Sequence, residues 1–178
     1  MRFFDYDPGD FYDELFVDKG QPRPESIPLI ERINSLPEGE LLRRQEAAQI
    51  AFFKMGITFN VYGDGQGTER IFPFDIIPRI VAAHEWDYLE RGLKQRIQAL
   101  NLFLSDIYHD QKIVKDGLIP LDLIYSASGF LEPCIGLHPP QGIWCHITGT
   151  DLVHDRDGRW YVLEDNLRCP SGVSYVLE

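Results

Sequence analysis

The stretch TDLVHDRDGRWYVLEDN, residues 150–166, has the pattern of a β-hairpin. Val153 lies before the turn residues DRDG (155–158), and Trp160, Val162 and Leu163 resume the apolar pattern after it. Asp and Gly between two apolar stretches are typical of a short hairpin connection. We therefore expect an antiparallel pair of strands between residues 143 and 166.

Three oxygen-bearing side chains are expected on one face of this hairpin. Residues equally distant from the turn lie side by side, which brings Asp151 close to Glu164. Glu164 and Asn166 are two residues apart and share a face, whereas Asp165 points to the other. Mg²⁺ prefers carboxylate and carbonyl oxygens, so the set Asp151, Glu164 and Asn166 is a candidate magnesium site. From spacing alone, solvated acids at a strand end are the alternative, and that is the interpretation we give Asp155, Asp157 and Asp165.

The residues after the hairpin extend the candidate site. Arg168 is two residues beyond Asn166 and would stabilise negative charge on an acyl phosphate or a tetrahedral intermediate. Pro170 and Gly172 would bend the chain so that backbone N–H groups reach a ligand. We assign Ser171 and Gly172 to nucleotide binding.

A glycine-rich loop, GDGQG (63–67), lies inside a second predicted hairpin at residues 57–74. Its backbone N–H groups could cradle a phosphate, which makes Gly63, Gly65, Gly67 and the nearby Arg70 candidate cofactor-binding residues. A plain hairpin loop and a surface ion pair explain these residues equally well. No Lys-Ser or Lys-Thr follows the loop, so it does not match a P-loop.

Helical periodicity dominates the rest of the chain. Residues 85–110 carry apolar side chains at steps of three and four, which predicts a long amphipathic helix whose Lys94, Gln95 and Arg96 form a solvated face. Shorter helices are expected at 25–36 and at about 38–55. Residues 1–24 are expected to form an irregular arm with a short helical turn that has Phe11, Leu15 and Phe16 on its apolar side. We define residues 1–56 as an N-terminal helical arm and residues 57–178 as the domain that contains the hairpin.

Composition limits the classes of function. The chain has 178 residues, 44% of them hydrophobic, and a net charge of −11. Such acidity is unfavourable for binding a nucleic-acid backbone, but Mg²⁺ can bridge carboxylates and phosphates. Three cysteines without a CxxC pair argue against a zinc site or a disulfide framework. We interpret the cysteines as reduced thiols of a cytoplasmic protein, and we expect neither a signal peptide nor a membrane segment.

The segment TDLVHDRDGRWYVLEDNLRCPSG (150–172) resembles the metal-binding hairpin of ATP-grasp ligases. With GITFNVYGDGQGTERIFPFDIIPRI, LKQRIQALNLFLSDIY and DGLIP, it is similar to the N-terminal part of the circularly permuted ATP-grasp family, whose relatives include glutathionylspermidine-synthase-like proteins. The resemblance implies an α/β (α+β) fold with helices packed on a mainly antiparallel sheet. It also implies that Asp151, Glu164 and Asn166 bind Mg²⁺, and that Arg168 occupies the basic position that follows.

The same resemblance implies an activity. ATP-grasp enzymes phosphorylate a carboxylate with ATP, and an amine or thiol then attacks the acyl phosphate. ATP and Mg²⁺ are the implied cofactors, and small-molecule or peptide carboxylates and amines are the implied substrates. The family clamps the nucleotide between two lobes, and we expect much of one lobe to follow the hairpin. We therefore interpret the chain as an N-terminal portion that is inactive alone and that works with the remainder of its own fold.

Two other functions fit the same residues. A protein with this fold that has lost catalysis would act as a scaffold or binding domain, with its acidic surface as the interaction face. Another Mg²⁺-dependent phosphoryl-transfer enzyme would use the same oxygens without joining two substrates.

Overall fold

The structure is a computed structural model that describes residues 3, 6–60, 69–71, 73–170 and 172–173. The chain divides into two compact units. One unit comprises residues 1–82 with 155–158, and the other comprises residues 83–154 with 159–178. The division that we placed at residue 56 refers to the family domain and stays a prediction.

The first unit combines helices with short strands around a small apolar core. The buried side chains of Phe3, Phe16, Ile30 and Ile33 form this core. Gly56, at a φ of 74°, ends the second helix in the left-handed conformation that glycine adopts without strain. The elements are β1 (Phe16–Asp18), β2 (Gln21–Pro22), α1 (Ile27–Asn34), α2 (Glu40–Met55), β3 (Thr58–Asn60) and β4 (Glu69–Ile71).

The helical turn predicted within residues 1–24 is wrong for the described residues 6–15, which contain no helix. The backbone N–H groups of Leu15 and Phe16 both donate to the Asp13 carboxylate, at 2.8 and 2.7 Å. Phe16 then enters β1 with only 2% of its surface exposed. Local side-chain bonding of this kind competes with helix formation, so the chain enters the core as a strand. Phe11, expected on an apolar face, is 82% exposed.

The second unit is built on the long helix that the periodicity predicts. Helix α3 spans Ala83–Ile107, and the predicted helix at 85–110 is therefore confirmed apart from its last turn. Ile107, Tyr108 and Ile124 form a cluster of buried residues in this unit. The Tyr108 ring stacks on Trp144, with ring centroids 4.8 Å apart. The remaining α-helices and strands are α4 (Lys112–Lys115), α5 (Leu121–Tyr125), β5 (Gly149–His154) and β6 (Trp160–Asn166).

All paired strands in the described part of the chain are antiparallel, and they form three two-stranded ladders: β1–β2, β3–β4 and β5–β6. The predicted class of helices with antiparallel strands is thus confirmed. The hairpin at 57–74 is present as β3 and β4. The hairpin expected from residue 143 begins instead at Gly149, because the N–H groups of Trp144 and Cys145 donate to Asn101 Oδ1 on α3 rather than to a strand. No helix in the described residues is both long and apolar enough to cross a bilayer.

Candidate metal-binding hairpin

The β5–β6 register brings the predicted oxygen ligands to neighbouring positions. Asp151 pairs with Glu164, and Gly149 pairs with Asn166. The Asn166 side-chain amide donates to Glu164 Oε1 at 3.1 Å, so these two side chains meet on one face of β6. Asp151 and Glu164 are both exposed. The strands therefore present two carboxylates and an amide to solvent on the same side, which we call the open face of the hairpin.

A β-bulge creates this register. Leu152 pairs with Val162, whereas Asp151 pairs with Glu164, so Leu163 has no partner on β5. Such an extra residue changes which face the following side chains take, and bulges of this kind are common beside active sites. The turn alone would pair Asp151 with Leu163. The sequence pattern predicts the neighbourhood of Asp151 and Glu164, but it does not reveal the bulge on which that neighbourhood depends.

The three side chains offer the type of oxygen ligand that Mg²⁺ prefers. Mg²⁺ is bound through one or two carboxylates and keeps several sites for water and for substrate phosphates. Asp151 and Glu164 supply the carboxylates, and the Asn166 amide oxygen is the third donor. Within the described residues no group of three or more His, Cys, Asp or Glu side chains is arranged to hold a metal. An ion at this hairpin would therefore depend on the amide oxygen and on ligands that a nucleotide brings.

Asp165 is largely withdrawn from solvent, so our interpretation of it is wrong, whereas Arg96 is exposed as expected and pairs with it. The Asp165 side chain retains 9% exposure, its Oδ2 accepts a hydrogen bond from Arg96 Nε at 2.7 Å, and Arg96 Nη2 completes the ion pair at 2.7 Å from the same oxygen. Its Oδ1 accepts a hydrogen bond from Thr150 Oγ1 at 3.0 Å. The hydrogen bond from Arg96, with help from Thr150 and from the guanidinium charge, holds the pKa of Asp165 below its usual value despite burial. Asp155 and Asp157 are exposed, as expected.

Arg96 is the residue that sequence reasoning missed. It lies on the solvated face of α3, as we expect, but its guanidinium also reaches Asp165 on the hairpin, 69 positions later in the chain. The available signal was Asp165 itself, because a carboxylate on the strand face opposite to Glu164 must point toward the protein and needs a partner there. Which cation supplies that partner follows only from the packing of α3.

The segment after β6 is held against β5 by a close contact. A Cβ added to Gly149 would lie 2.9 Å from Pro170 Cβ, so Pro170 covers the glycine directly. This contact fixes where the chain passes after Asn166. Arg168 and Gly172 are exposed on this segment. Ser171 lies outside the described residues, and the roles of all three stay predictions.

The predicted phosphate-binding loop falls in a part of the chain that the structure does not describe. Gly63, Gly65 and Gly67 lie outside the described residues. Arg70 belongs to β4, where its backbone pairs with Phe59, but its side chain is likewise outside the described set. The assignment of these four residues to a nucleotide stays a prediction.

A groove of about 830 Å³ also runs along α3. Trp86, Leu93, Ile97, Ile143 and His146 are among its lining residues. His146 is exposed in this groove.

Comparison with known proteins identifies the family. The family model described as "Circularly permuted ATP-grasp type 2" matches residues 78–178, which is more than half of the chain. An uncharacterized protein of Synechocystis is 65% identical over 178 residues, covering 100% of this chain and 37% of the relative. An uncharacterized protein of Mycobacterium leprae is 44% identical over 99% of the chain and 31% of its own length.

A Frankia alni protein named "Putative glutamate--cysteine ligase 2-3" is 42% identical over 94% of this chain and 19% of its own length. The chain thus spans between about a fifth and somewhat over a third of these three relatives. The matched residues 78–178 contain α3, the hairpin and the segment after it. The chain belongs to the circularly permuted ATP-grasp type 2 family.

Proposed function

We propose that this chain is the N-terminal portion of an ATP- and Mg²⁺-dependent ligase that joins a carboxylate to an amine through an acyl phosphate. The observation that carries the proposal is the pairing of Asp151 with Glu164 on the open face of the hairpin, with Asn166 bonded beside them. Membership of the ATP-grasp family supports ATP as the nucleotide, and the hairpin provides the oxygens that a hard divalent cation requires.

Each residue of the open face has a role in the proposal. Asp151 and Glu164 provide charge, and Asn166 provides a neutral oxygen once its amide turns from Glu164. Bound there with ATP, Mg²⁺ would neutralise phosphate charge and orient the transferring phosphoryl group. The exposure of Asp151 and Glu164 supports this role, because the nucleotide must approach them from solvent.

Arg168 is proposed to act on the substrate side of the site. It is exposed two residues after Asn166, and a guanidinium there would offset negative charge as the carboxylate becomes an acyl phosphate. Gly172 and Ser171 are proposed to approach the nucleotide through their backbone. The same role is proposed for Gly63, Gly65, Gly67 and Arg70.

The chemistry of the proposal requires two substrates and balances simply. An oxygen of the substrate carboxylate attacks the γ-phosphorus of ATP, and ADP leaves. The amine then attacks the acyl carbon, phosphate leaves with the proton that the amine loses, and an amide forms. The Frankia relative is named as a glutamate–cysteine ligase, and small-molecule or peptide carboxylates and amines are proposed as substrates on that basis. The remainder of the ATP-grasp fold and a cytoplasmic location belong to the same proposal.

The test uses the full-length protein with Glu164→Ala and a matched control, Asp87→Ala. Asp87 is also an exposed acid of the second unit, on α3, so both variants lose one carboxylate. Glu164→Ala is expected to abolish ATP turnover while circular dichroism and the thermal midpoint stay at wild-type values. Asp87→Ala should retain turnover. Unchanged ATP consumption by Glu164→Ala would remove the basis of the proposal.

Two further measurements separate the alternatives. Calorimetry with ATP and Mg²⁺ distinguishes a ligase from a scaffold, because a scaffold would show no magnesium-dependent nucleotide binding. Mass spectrometry of the products distinguishes a ligase from another phosphoryl-transfer enzyme, because only a ligase yields an amide-linked product along with ADP and phosphate.

A further inference from the structure

We infer that Arg96, Asp165 and Thr150 form a positioning cluster that selects the bulged register of the hairpin and thereby brings Asp151, Glu164 and Asn166 to the open face. That the cluster serves a metal site rests on the proposed function, but the strand register can be measured independently of that function. None of the three residues is proposed to touch metal, nucleotide or substrate. They act on the side of the hairpin opposite to the open face, which we call the reverse face.

The two possible registers differ by one residue. Near the turn, His154 pairs with Trp160 and Leu152 with Val162. Continued without a bulge, this pairing would place Asp151 opposite Leu163 and Thr150 opposite Glu164. A shift of one residue moves every side chain of a strand to the other face. Glu164 would then share the reverse face with Thr150, and Asp165 would move to the open face.

The cost of that slip depends on what the reverse face contacts. Thr150, Leu152 and Val162 are half-buried there. In the observed register this face receives Asp165, whose two carboxylate oxygens accept hydrogen bonds from α3 and from β5. In the slipped register the Arg96 guanidinium would lose Asp165, and the oxygens of Glu164, on a side chain one methylene longer, would not occupy the same points. The cluster therefore stabilises the bulged register relative to the slipped one.

The geometry distinguishes this cluster from an ordinary surface ion pair. The Lys94–Glu90 pair on α3 joins two exposed side chains within one helix, with 73% and 46% exposure. The Arg96–Asp165 pair joins two elements, and the carboxylate is nearly buried at 9% exposure. A buried carboxylate needs its hydrogen-bond partners far more than an exposed one does. Arg96 therefore constrains the hairpin, whereas Lys94 does not.

The register is tested by cross-strand disulfide formation in the full-length protein, with the exposed Cys169 replaced by Ser. The pair Asp151→Cys with Glu164→Cys reports the bulged register, and Asp151→Cys with Leu163→Cys reports the slipped one. Each pair is compared with and without Arg96→Gln, so the intrinsic reactivity of the pair cancels. Lys94→Gln is the matched control, because it removes one positive charge from the same helix.

We expect Arg96→Gln to raise the ratio of slipped to bulged cross-links severalfold and Lys94→Gln to leave it unchanged. Thr150→Val keeps the β-branched shape and removes only the hydroxyl, so it should shift the ratio less. It also serves as the test if Arg96→Gln does not fold. Equal ratios in the Arg96, Thr150 and Lys94 variants would overturn the inference.

The consequence for the site is measured with Mn²⁺ as a spectroscopic substitute for Mg²⁺, by electron paramagnetic resonance with a non-hydrolysable ATP analogue. Residues that orient metal ligands typically change affinity by about 10- to 100-fold when they are replaced. Arg96→Gln should weaken Mn²⁺ binding by that factor, and Lys94→Gln should not. Wild-type protein that binds no Mn²⁺ would contradict the proposed function, while the cross-linking ratio would still decide the inference about the register.

Discussion

Gly149 shows how one missing side chain shapes the region around the candidate site. Because a Cβ at this position would lie 2.9 Å from Pro170 Cβ, any larger residue must displace the segment that carries Arg168. Overpacking of this kind costs about 1–3 kcal/mol. We therefore expect Gly149→Ala to lower the free energy of unfolding by that amount, measured by urea denaturation, and to impair ATP turnover through the displaced segment.

Gly92 provides the matched control for this substitution. It lies within α3, and a Cβ there would meet no atom within 4 Å. Alanine is favoured over glycine inside a helix by about 1 kcal/mol, so Gly92→Ala should stabilise the protein. The two Gly→Ala changes are thus expected to have opposite signs, and a neutral Gly149→Ala would contradict the close packing against Pro170.

At the scale of elements, Asp106 links the end of α3 to the start of α4. Its Oδ1 accepts the Lys112 N–H and its Oδ2 accepts the Ile113 N–H, both at 2.9 Å. These bonds, that of Ile113 first, together with the charges of Lys112 and Lys115, hold the pKa of Asp106 below its usual value. Two N–H groups at the start of α4 therefore find their partner in one ionised carboxylate, which also favours a helix N-terminus electrostatically.

This linkage predicts a pH dependence with a definite sign. Since the folded-state pKa is depressed, the contribution of Asp106 to stability is present above the unfolded pKa of about 3.9 and is lost as the pH falls through the folded value. Asp106→Asn should therefore be less stable than wild type at pH 7, and the difference should shrink below about pH 4. Urea midpoints between pH 7 and pH 3 measure it. Asp110→Asn, which removes an exposed carboxylate paired with Lys112, is the control and should show little effect at either pH.

The elements also show what the sequence could reveal. Helix α3 was predictable because its apolar residues repeat at helical spacing over 25 residues. The β5–β6 hairpin was predictable because its turn residues have strong local preferences. The prediction of a helical turn near Phe11 is wrong because the Asp13 carboxylate accepts hydrogen bonds from two backbone N–H groups. The Arg96–Asp165 pair and the bulge at Leu163 depend on contacts between distant parts of the chain, which no local pattern encodes.

At the scale of the whole protein, the open face of the hairpin is more apolar than its proposed role in metal binding requires. Val153 and its partner Tyr161 are 39% and 43% exposed, and Leu163 is 69% exposed. Neighbouring apolar side chains exposed in this way commonly mark surfaces that another part of a protein covers. Under the proposed function, the remainder of the ATP-grasp fold would cover this face.

Hydroxyl-radical labelling of the longer protein tests this assignment with an internal control. Val162 is the neighbour of Leu163 on β6 but is half-buried. Leu163 would be labelled several times more heavily than Val162 if its 69% exposure persisted. If the remainder of the proposed fold closes over the open face, Leu163 should be protected in the longer protein to about the level of Val162, and ATP with Mg²⁺ should increase the protection. Strong labelling of Leu163 in the presence of both would contradict a clamp on this face.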